Sequence, residues 1–313
     1  MQMSDRIGKR MKLQDLHVLM AVVQAGSMGK AALMLNTTQP NISRSIAELE
    51  RAFGVRLLDR HRRGIEPTES GRALIDCGTA AFDELRRGVK SIEFLADPTA
   101  GEVRIGSTAF LAASFVSALV DRLARRHQRI RFHLVTGYPE TLHRELSERR
   151  VDLLILRSGG PDVDERFDFE FLFEDCYVVA AGARHRWARR RNIQLSDLAG
   201  ERWVLPPQES VIGSIVTQAF RANGFEYPRA TVVTDSPHMR VSLLETGRFI
   251  TVFPTSALKF LVRGAALKVL PIELPAARRP NGMVTIRDRA VSPVVQLVMD
   301  SARELAKPMA KRT

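Results

Sequence analysis

Cysteine is close to absent. Cys77 and Cys176 are the only two in 313 residues, too few for a disulfide framework and not at metal-ligand spacing. Both are expected as buried thiols. Long apolar runs are missing too: none approaches the ~20 residues that span a bilayer. The polar, basic start from Met1 to Lys12 leads into no signal-type apolar core. A membrane partner is thereby excluded and a cytoplasmic location expected. The seven histidines (17, 61, 127, 133, 143, 185 and 238) contain no pair at metal-binding helical spacing. Neither a glycine-flanked nucleophile elbow nor a phosphate-cradling glycine loop is present. Asp235 and His238 are close in sequence, which alone makes no catalytic constellation. These gaps argue against an enzyme, and no metal or cofactor is expected.

Acidic side chains are the scarcer charge. There are 35 Asp and Glu against 47 Lys and Arg, a net charge of +12, which suggests a polyanionic partner. The excess is uneven: residues 6–63 carry 11 Lys and Arg and 4 Asp and Glu, so 11 − 4 = +7 falls on one short segment. Arginine-rich stretches at Arg122–Arg131 and Arg184–Arg191 are expected as solvated surface. With 45% hydrophobic and 26% charged residues the chain is globular, and it is long enough for two or three domains.

The basic segment has a distinct organisation. Leu13, Leu16, Leu19, Met20 and Val23 recur at helical spacing, predicting a first helix over about Leu13–Gln24. Gly26 ends it, and Ser27 suits the N-cap of a second helix, Met28–Leu35. Asn36-Thr37-Thr38 forms a turn, Thr38 caps the next helix, and Pro40 is tolerated in its first turn. That third helix runs to about Phe53 with Ile42, Ile46, Leu49 and Phe53 inward. Gln39, Pro40, Asn41, Ser43 and Arg44 are left on or near its outer N-terminal end. Gln and Asn side chains suit adenine edges and Arg suits guanine, and a helix-turn-helix lays this end of its second helix against bases. A small structural three-helix bundle with a polar face is the plainer alternative. Val55–Arg60 then predicts a strand, His61–Gly64 a turn and Ile65–Pro67 a return strand. Arg56, Arg60, Arg62 and Arg63 on that hairpin, with Ser27 and Thr38, are candidate phosphate contacts.

Residues 13–71 resemble the winged helix-turn-helix of LysR-type transcriptional regulators. The resemblance rests on Gly26-Ser27 followed by Ala31-Ala32-x-x-Leu35, Thr38-Gln39-Pro40-Asn41-Ile42-Ser43-Arg44 and Leu49-Glu50. Phe53-Gly54-Val55-Arg56-Leu57-Leu58, Arg60, Arg63 and Thr68-Glu69-x-Gly71 complete it. Leu58 stands where the family usually has Phe, and Pro67 where it usually has Leu. The resemblance implies a dimeric or tetrameric regulator that binds double-stranded promoter DNA under control of a small-molecule effector.

Thr68 caps a helix that can run from Glu69 to about Ala96, before Pro98. Leu74, Cys77, Ala81, Leu85, Val89, Ile92 and Leu95 recur every three or four residues, a coiled-coil type seam. A helix of that length spans about 42 Å, and a second copy of itself is the simplest cover for its stripe. It resembles the family's dimerisation helix. Packing onto its own C-terminal domain is the alternative.

From Gly101 onward strands alternate with helices, predicting an α/β region with largely parallel sheets. The fold class is thus α+β multidomain: a winged helix-turn-helix over 1–67, a linker helix over 68–98, and a two-subdomain sensor over 101–313. The sensor resembles the family's type 2 periplasmic-binding-protein fold, with subdomain I at 101–165 and 264–313 and subdomain II at 166–263. In open α/β sheets ligands lie beyond the carboxyl ends of strands, at helix N-termini where anions are favoured. That nominates Ser107, Thr108, Thr136, Gly137 and Arg157, and in the second subdomain Pro207, Ser210, Asp235 and Ser236. Thr108 and Ser210 are the leading candidates for a carboxylate, with plain helix capping as the other role open to them. The expected effector is a small anionic metabolite. An effector-independent architectural DNA binder is the alternative function. A secreted solute-binding protein would have no use for residues 13–67.

Overall fold

The computed structural model describes residues 11–61, 64–157, 164–260, 267–272, 274 and 278–310. They fall into two compact units, one ending at Val89 and one beginning at Lys90.

The first unit opens with α1 (Leu13–Ala25), α2 (Met28–Met34) and α3 (Gln39–Phe53). Gly26 and Gly54 end α1 and α3 in the left-handed conformation, at φ 68° and 72°, which costs a residue without Cβ little. Ser27 caps α2, its Oγ accepting from Lys30 N at 3.1 Å. Asn36 takes φ 50° in the turn before α3, a conformation asparagine tolerates better than most. Leu19, Val22, Ala31, Ile42, Ile46 and Leu49 are buried in one shared core.

The hairpin is shorter than the sequence predicts. β1 (Leu58–His61) pairs antiparallel with β2 (Gly64–Pro67), so Val55, Arg56 and Leu57 precede the strand instead of belonging to it. The reason is local. Glu50 Oε1 on α3 accepts from Leu57 N (2.8 Å) and Leu58 N (3.3 Å), and the Arg56 carbonyl accepts from Thr68 Oγ1 at 2.8 Å. The Arg56 carbonyl and both backbone groups of Leu57 are spent before strand pairing starts.

α4 (Glu69–Ala96) has the bounds expected of it. Thr68 Oγ1 accepts from Gly71 N at 3.0 Å, satisfying a first-turn donor. Its stripe divides in two. Leu74 joins the core of the first unit, while Leu85, Val89, Ile92 and Leu95 are 51%, 55%, 69% and 77% exposed. Cys77 is exposed and Cys176 half-buried. The expectation of buried thiols is thus corrected: Cys77 lies on an outward part of the helix, and Gly78, not Cys77, turns inward against Leu16.

The second unit is a mixed sheet. Its nine strands, counted among the described residues, are β3 (Ala100–Ser107), β4 (Arg129–Thr136), β5 (Leu153–Arg157), β6 (Phe167–Gly182), β7 (Trp203–Leu205), β8 (Ala230–Val233), β9 (Ile250–Pro254), β10 (Leu267–Val269) and β11 (Arg278–Ile286). The order is β4-β3-β5-β11-β6-β9-β7-β8, with β10 on β6. β3 pairs parallel with β4 and β5, and β7 with β8 and β9, as expected. The expectation of largely parallel pairing fails in the middle: β11 pairs antiparallel with β5 and β6, and β6 with β9. These long strands carry the chain between the two halves and back, and each return reverses direction.

Two cores result. Val103, Ile105, Phe115, Leu119, Leu153, Ile155, Phe173 and Val298 build one. Tyr177, Val179, Leu198, Trp203, Val216, Phe220, Ile250 and Val252 build the other. α5 (Ala109–Leu111) runs through a π turn at Ala112–Val116 into α6 (Ser117–Ala124). α7 (Pro139–Ser147) covers the first half, and α8 (Val211–Ala222) and α9 (Pro237–Glu245) the second. α10 (Thr255–Phe260) and α11 (Pro293–Ala310) follow, and the sequence reading missed α10. Among the described residues no single helix is long and apolar enough to cross a membrane.

Candidate functional site

α3 is amphipathic in the sense a reading helix requires. Ile42, Ile46, Leu49 and Ala52 are buried beneath it, and Gln39, Pro40, Asn41 and Arg44 are exposed at its N-terminal end with Ser43 half-buried. Pro40 sits in the first turn, where its missing N–H costs nothing. Asn41 Nδ2 donates to Thr37 Oγ1 at 3.2 Å, fixing that side chain across the turn. Thr38 is the N-cap residue of α3 by backbone, but its hydroxyl makes no capping bond, contrary to expectation. Arg60 is exposed on β1 and Arg56 just before it. Arg62 and Arg63 lie outside the described residues. The first unit thus presents a polar helix end and basic side chains on a folded core.

Glu50 escaped the sequence reading as a functional residue. Its carboxylate joins α3 to the start of the hairpin, so the helix that presents Arg44 also positions Arg56 and Arg60.

The second unit holds a cavity of about 640 Å³ at the carboxyl ends of its parallel strands. Of the nine residues nominated from sequence, seven line it: Thr108, Thr136, Gly137, Arg157, Ser210, Asp235 and Ser236. Ser107 and Pro207 do not. Ser107 is buried, and its Oγ donates to Ile155 O across the sheet at 2.6 Å. The Pro207 carbonyl faces its own loop and accepts from Ser210 Oγ at 2.6 Å.

Hydrogen bonding separates the hydroxyl candidates. Ser210 caps α8, accepting from Gly213 N at 3.0 Å, and Ser236 caps α9, accepting from Met239 N at 3.2 Å. Thr108 heads α5 without a side-chain cap bond, which leaves it the best placed for a ligand. Of the two leading candidates, Ser210 therefore does what a plain cap does.

The wall carries more acid than expected for an anion site: Glu140, Asp175, Glu209 and Asp235 against the single cation Arg157, among the described lining residues. Two of these acids are engaged within the protein. Asp175 is buried and accepts from Thr255 Oγ1 (2.7 Å), Ser256 N (3.0 Å) and Ser256 Oγ. Asp235 Oδ2 accepts from Tyr138 Oη at 2.7 Å, a bond that reaches from the first half to the second and raises the tyrosine pKa. Phe110, Leu111, Pro139, Ile212 and Pro254 give the cavity an apolar lining. Behind Phe110 lies the fully buried Arg240, its guanidinium 5.0 Å from the ring. Arg240 donates to Thr234 O and Val252 O, and burial lowers its pKa to about 10, so it stays charged at neutral pH. Tyr138 and Arg240 had no signal in the sequence, because their partners come together only through the fold.

Two family models divide the chain along these lines. Residues 13–72 match the bacterial regulatory helix-turn-helix protein of the lysR family, and residues 96–307 match the LysR substrate binding domain. The chain belongs to the LysR family. It is a DNA-binding transcriptional regulator with an effector-binding C-terminal domain. Among curated relatives the regulator is similar to GbpR of Azospirillum brasilense, 26% identical over 97% of this chain and 89% of that one. It is similar to PcaQ of Agrobacterium fabrum, also 26% identical, over 96% of each chain. Among solved structures it resembles a full-length OxyR variant from Pseudomonas aeruginosa, with TM-score 0.67, 19% identity and coverage of 97% of this chain and 99% of that one. A full-length CbnR complexed with its target DNA matches with TM-score 0.54 and 20% identity over 95% of this chain and all of that one. These structures support the fold.

Proposed function

We propose that the regulator reads its operator in the cytoplasm through Gln39, Pro40, Asn41, Ser43 and Arg44, and holds phosphates through Ser27, Thr38, Arg56 and Arg60. Arg62 and Arg63, outside the described residues, complete the phosphate set by sequence position. The observation that carries this reading is the exposed polar first turn of α3 above a buried apolar underside. Base contacts carry sequence information and phosphate contacts do not. Arg44→Ala is therefore expected to weaken operator binding by about 1–3 kcal/mol with little change on unrelated DNA. Arg60→Ala is expected to weaken both alike and to flatten the salt dependence. Equal loss of specificity from both changes, in a salt-titrated binding assay, would refute the assignment.

The domain limits proposed are 1–67, 68–98 and 101–313, the last with subdomains at 101–165 plus 264–313 and at 166–263. The exposed stripe Leu85, Val89, Ile92 and Leu95 is proposed to pair with a second copy, giving a dimer, and dimers to pair as tetramers. A lone helix gains nothing by holding four large apolar side chains in water. Ile92→Glu is expected to shift the sedimenting species toward monomer, and an unchanged mass would exclude this helix as the interface.

The effector is proposed to be a small organic acid in the 640 Å³ cavity, its carboxylate near Thr108 and Arg157. Thr136, Gly137, Ser236 and Asp235 are proposed to form the surrounding wall, with Ser210 holding the end of α8. A calorimetric screen of organic and aromatic acids tests it. Thr108→Val should lower the affinity of any acid that binds by about tenfold, while Ser210→Ala mainly costs stability. Binding confined to neutral or cationic compounds would count against an acid.

A further inference from the structure

Tyr177 Oη, Asn281 Nδ2 and Asn281 Oδ1 in the second unit are buried and have no hydrogen-bond partner among the described residues. Tyr177 is 2% exposed and Asn281 fully buried. Leaving such a group unmet is costly, and native proteins seldom retain one without a water, ion or ligand to meet it.

Neither residue lines the cleft, but each adjoins one that does. Asn281 is in register with Arg157 of β5 on one side and with Phe173 of β6 on the other. Directly paired residues of antiparallel strands share a face. Along β6, Phe173, Asp175 and Tyr177 alternate onto that same buried face. Arg157 joins the two groups, since its guanidinium carbon lies 5.0 Å from the centre of the Tyr177 ring. Arg157 and Asp175 line the cavity, as does Pro254, the register partner of Tyr177.

We propose that Tyr177 and Asn281 form a recess behind Arg157 that takes an uncharged head group able both to donate and to accept hydrogen bonds. This rests on the reading of the cavity as an organic-acid site and adds the chemistry of the acid's other end. A carboxamide side chain offers one donating and one accepting group, and a phenol offers either. A primary carboxamide or a hydroxyl on the ligand satisfies them; a methyl leaves them unmet, and an ammonium can only donate. The effector class is then a short acid carrying a distal amide or hydroxyl, with its apolar middle against Phe110, Leu111 and Ile212.

The test uses the full-length chain and four probes that share one carboxylate end: pentanoate, 5-hydroxypentanoate, the monoamide of glutarate, and 5-aminopentanoate. Calorimetry on the wild type is expected to rank the amide and hydroxyl probes about tenfold or more above pentanoate. That advantage should vanish in Tyr177→Phe and in Asn281→Leu. Tyr177→Phe should unfold no earlier than wild type without ligand, because the hydroxyl it loses is unmet there. Pentanoate binding as tightly as the amide, or the advantage surviving in both variants, would overturn the recess and leave the acid site standing. Earlier unfolding of Tyr177→Phe with unchanged probe affinities would make the pair a water-bridged structural contact and overturn it too. Failure of all four probes to bind the wild type would remove the acid reading and the recess together.

Discussion

Gly71→Val is expected to abolish operator binding by breaking the first unit, while Gly88→Ala on the same helix stabilises it. A Cβ at position 71 would lie 2.0 Å from the Leu57 carbonyl oxygen and 3.0 Å from its carbonyl carbon. Both are backbone atoms held in place by Glu50 and Thr68, so no side chain can rotate away. Either α4 or the start of the hairpin must move, and overpacking of this kind costs about 3 kcal/mol or more. Nothing lies within 4 Å of the corresponding point at Gly88. Alanine there gains about 0.5–1 kcal/mol of helix propensity without meeting anything. Thermal unfolding followed by circular dichroism should shift in opposite directions for the two variants. A Gly71→Val chain as stable as wild type would mean that α4 does not hold the hairpin this closely.

Asp175→Ala is the counterpart in the second unit. The carboxylate is 1% exposed and accepts three hydrogen bonds from the start of α10. Removing it orphans the Ser256 hydroxyl and amide at a buried site and frees the exposed Thr255 hydroxyl. The expected loss is about 3 kcal/mol, since hydrogen bonds to a charged group are the stronger kind and the orphaned donors keep their desolvation cost. Urea unfolding should show a lowered midpoint with an unchanged slope. Ser256 also lines the cavity, so ligand affinity should fall as well. Asp175→Asn keeps one acceptor and should recover part of both losses. A midpoint within about 0.5 kcal/mol of wild type, the range of ordinary surface changes, would show that α10 is held by other contacts.

The parts of the molecule legible in the sequence are those where one local rule decides. α4 spans Glu69–Ala96 as expected, because Thr68 caps one end and Pro98 bars the other. α3 is legible from its Ile42, Ile46, Leu49 spacing. The π turn at Ala112–Val116 is not, since Ala-Ala-Ser-Phe-Val carries no helix-breaking residue; Ser114 is fully buried and donates to Phe110 O. Strand direction was equally hidden. The apolar residues of β6 and of the end of β11 signal extended chain, but only the return of the chain between halves sets them antiparallel. Most residues named by position beyond a strand end line the cavity, because that rule is geometric. Of the two singled out for their hydroxyl, Ser210 spends its own on the backbone while Thr108 makes no cap bond; Ser107, named by position, is turned into the sheet. Tyr138 and Asp235 are 97 residues apart, and no short-range pattern joins them.

The strand order has a consequence for solubility. β4 and β8 end the sheet, and each therefore offers a row of backbone groups to any stray extended chain. β4, eight residues long, places exposed Arg129, Arg131 and His133 along this margin. A neighbouring molecule adding a strand there would bring its own copies of these side chains into close quarters with them. β8 takes another course, ending after four residues, too few to template a stable ladder. Part of the chain's arginine, Arg131 above all since Arg129 pairs with Asp97, is thus expected to act away from DNA, by keeping an open β margin from recruiting its own kind.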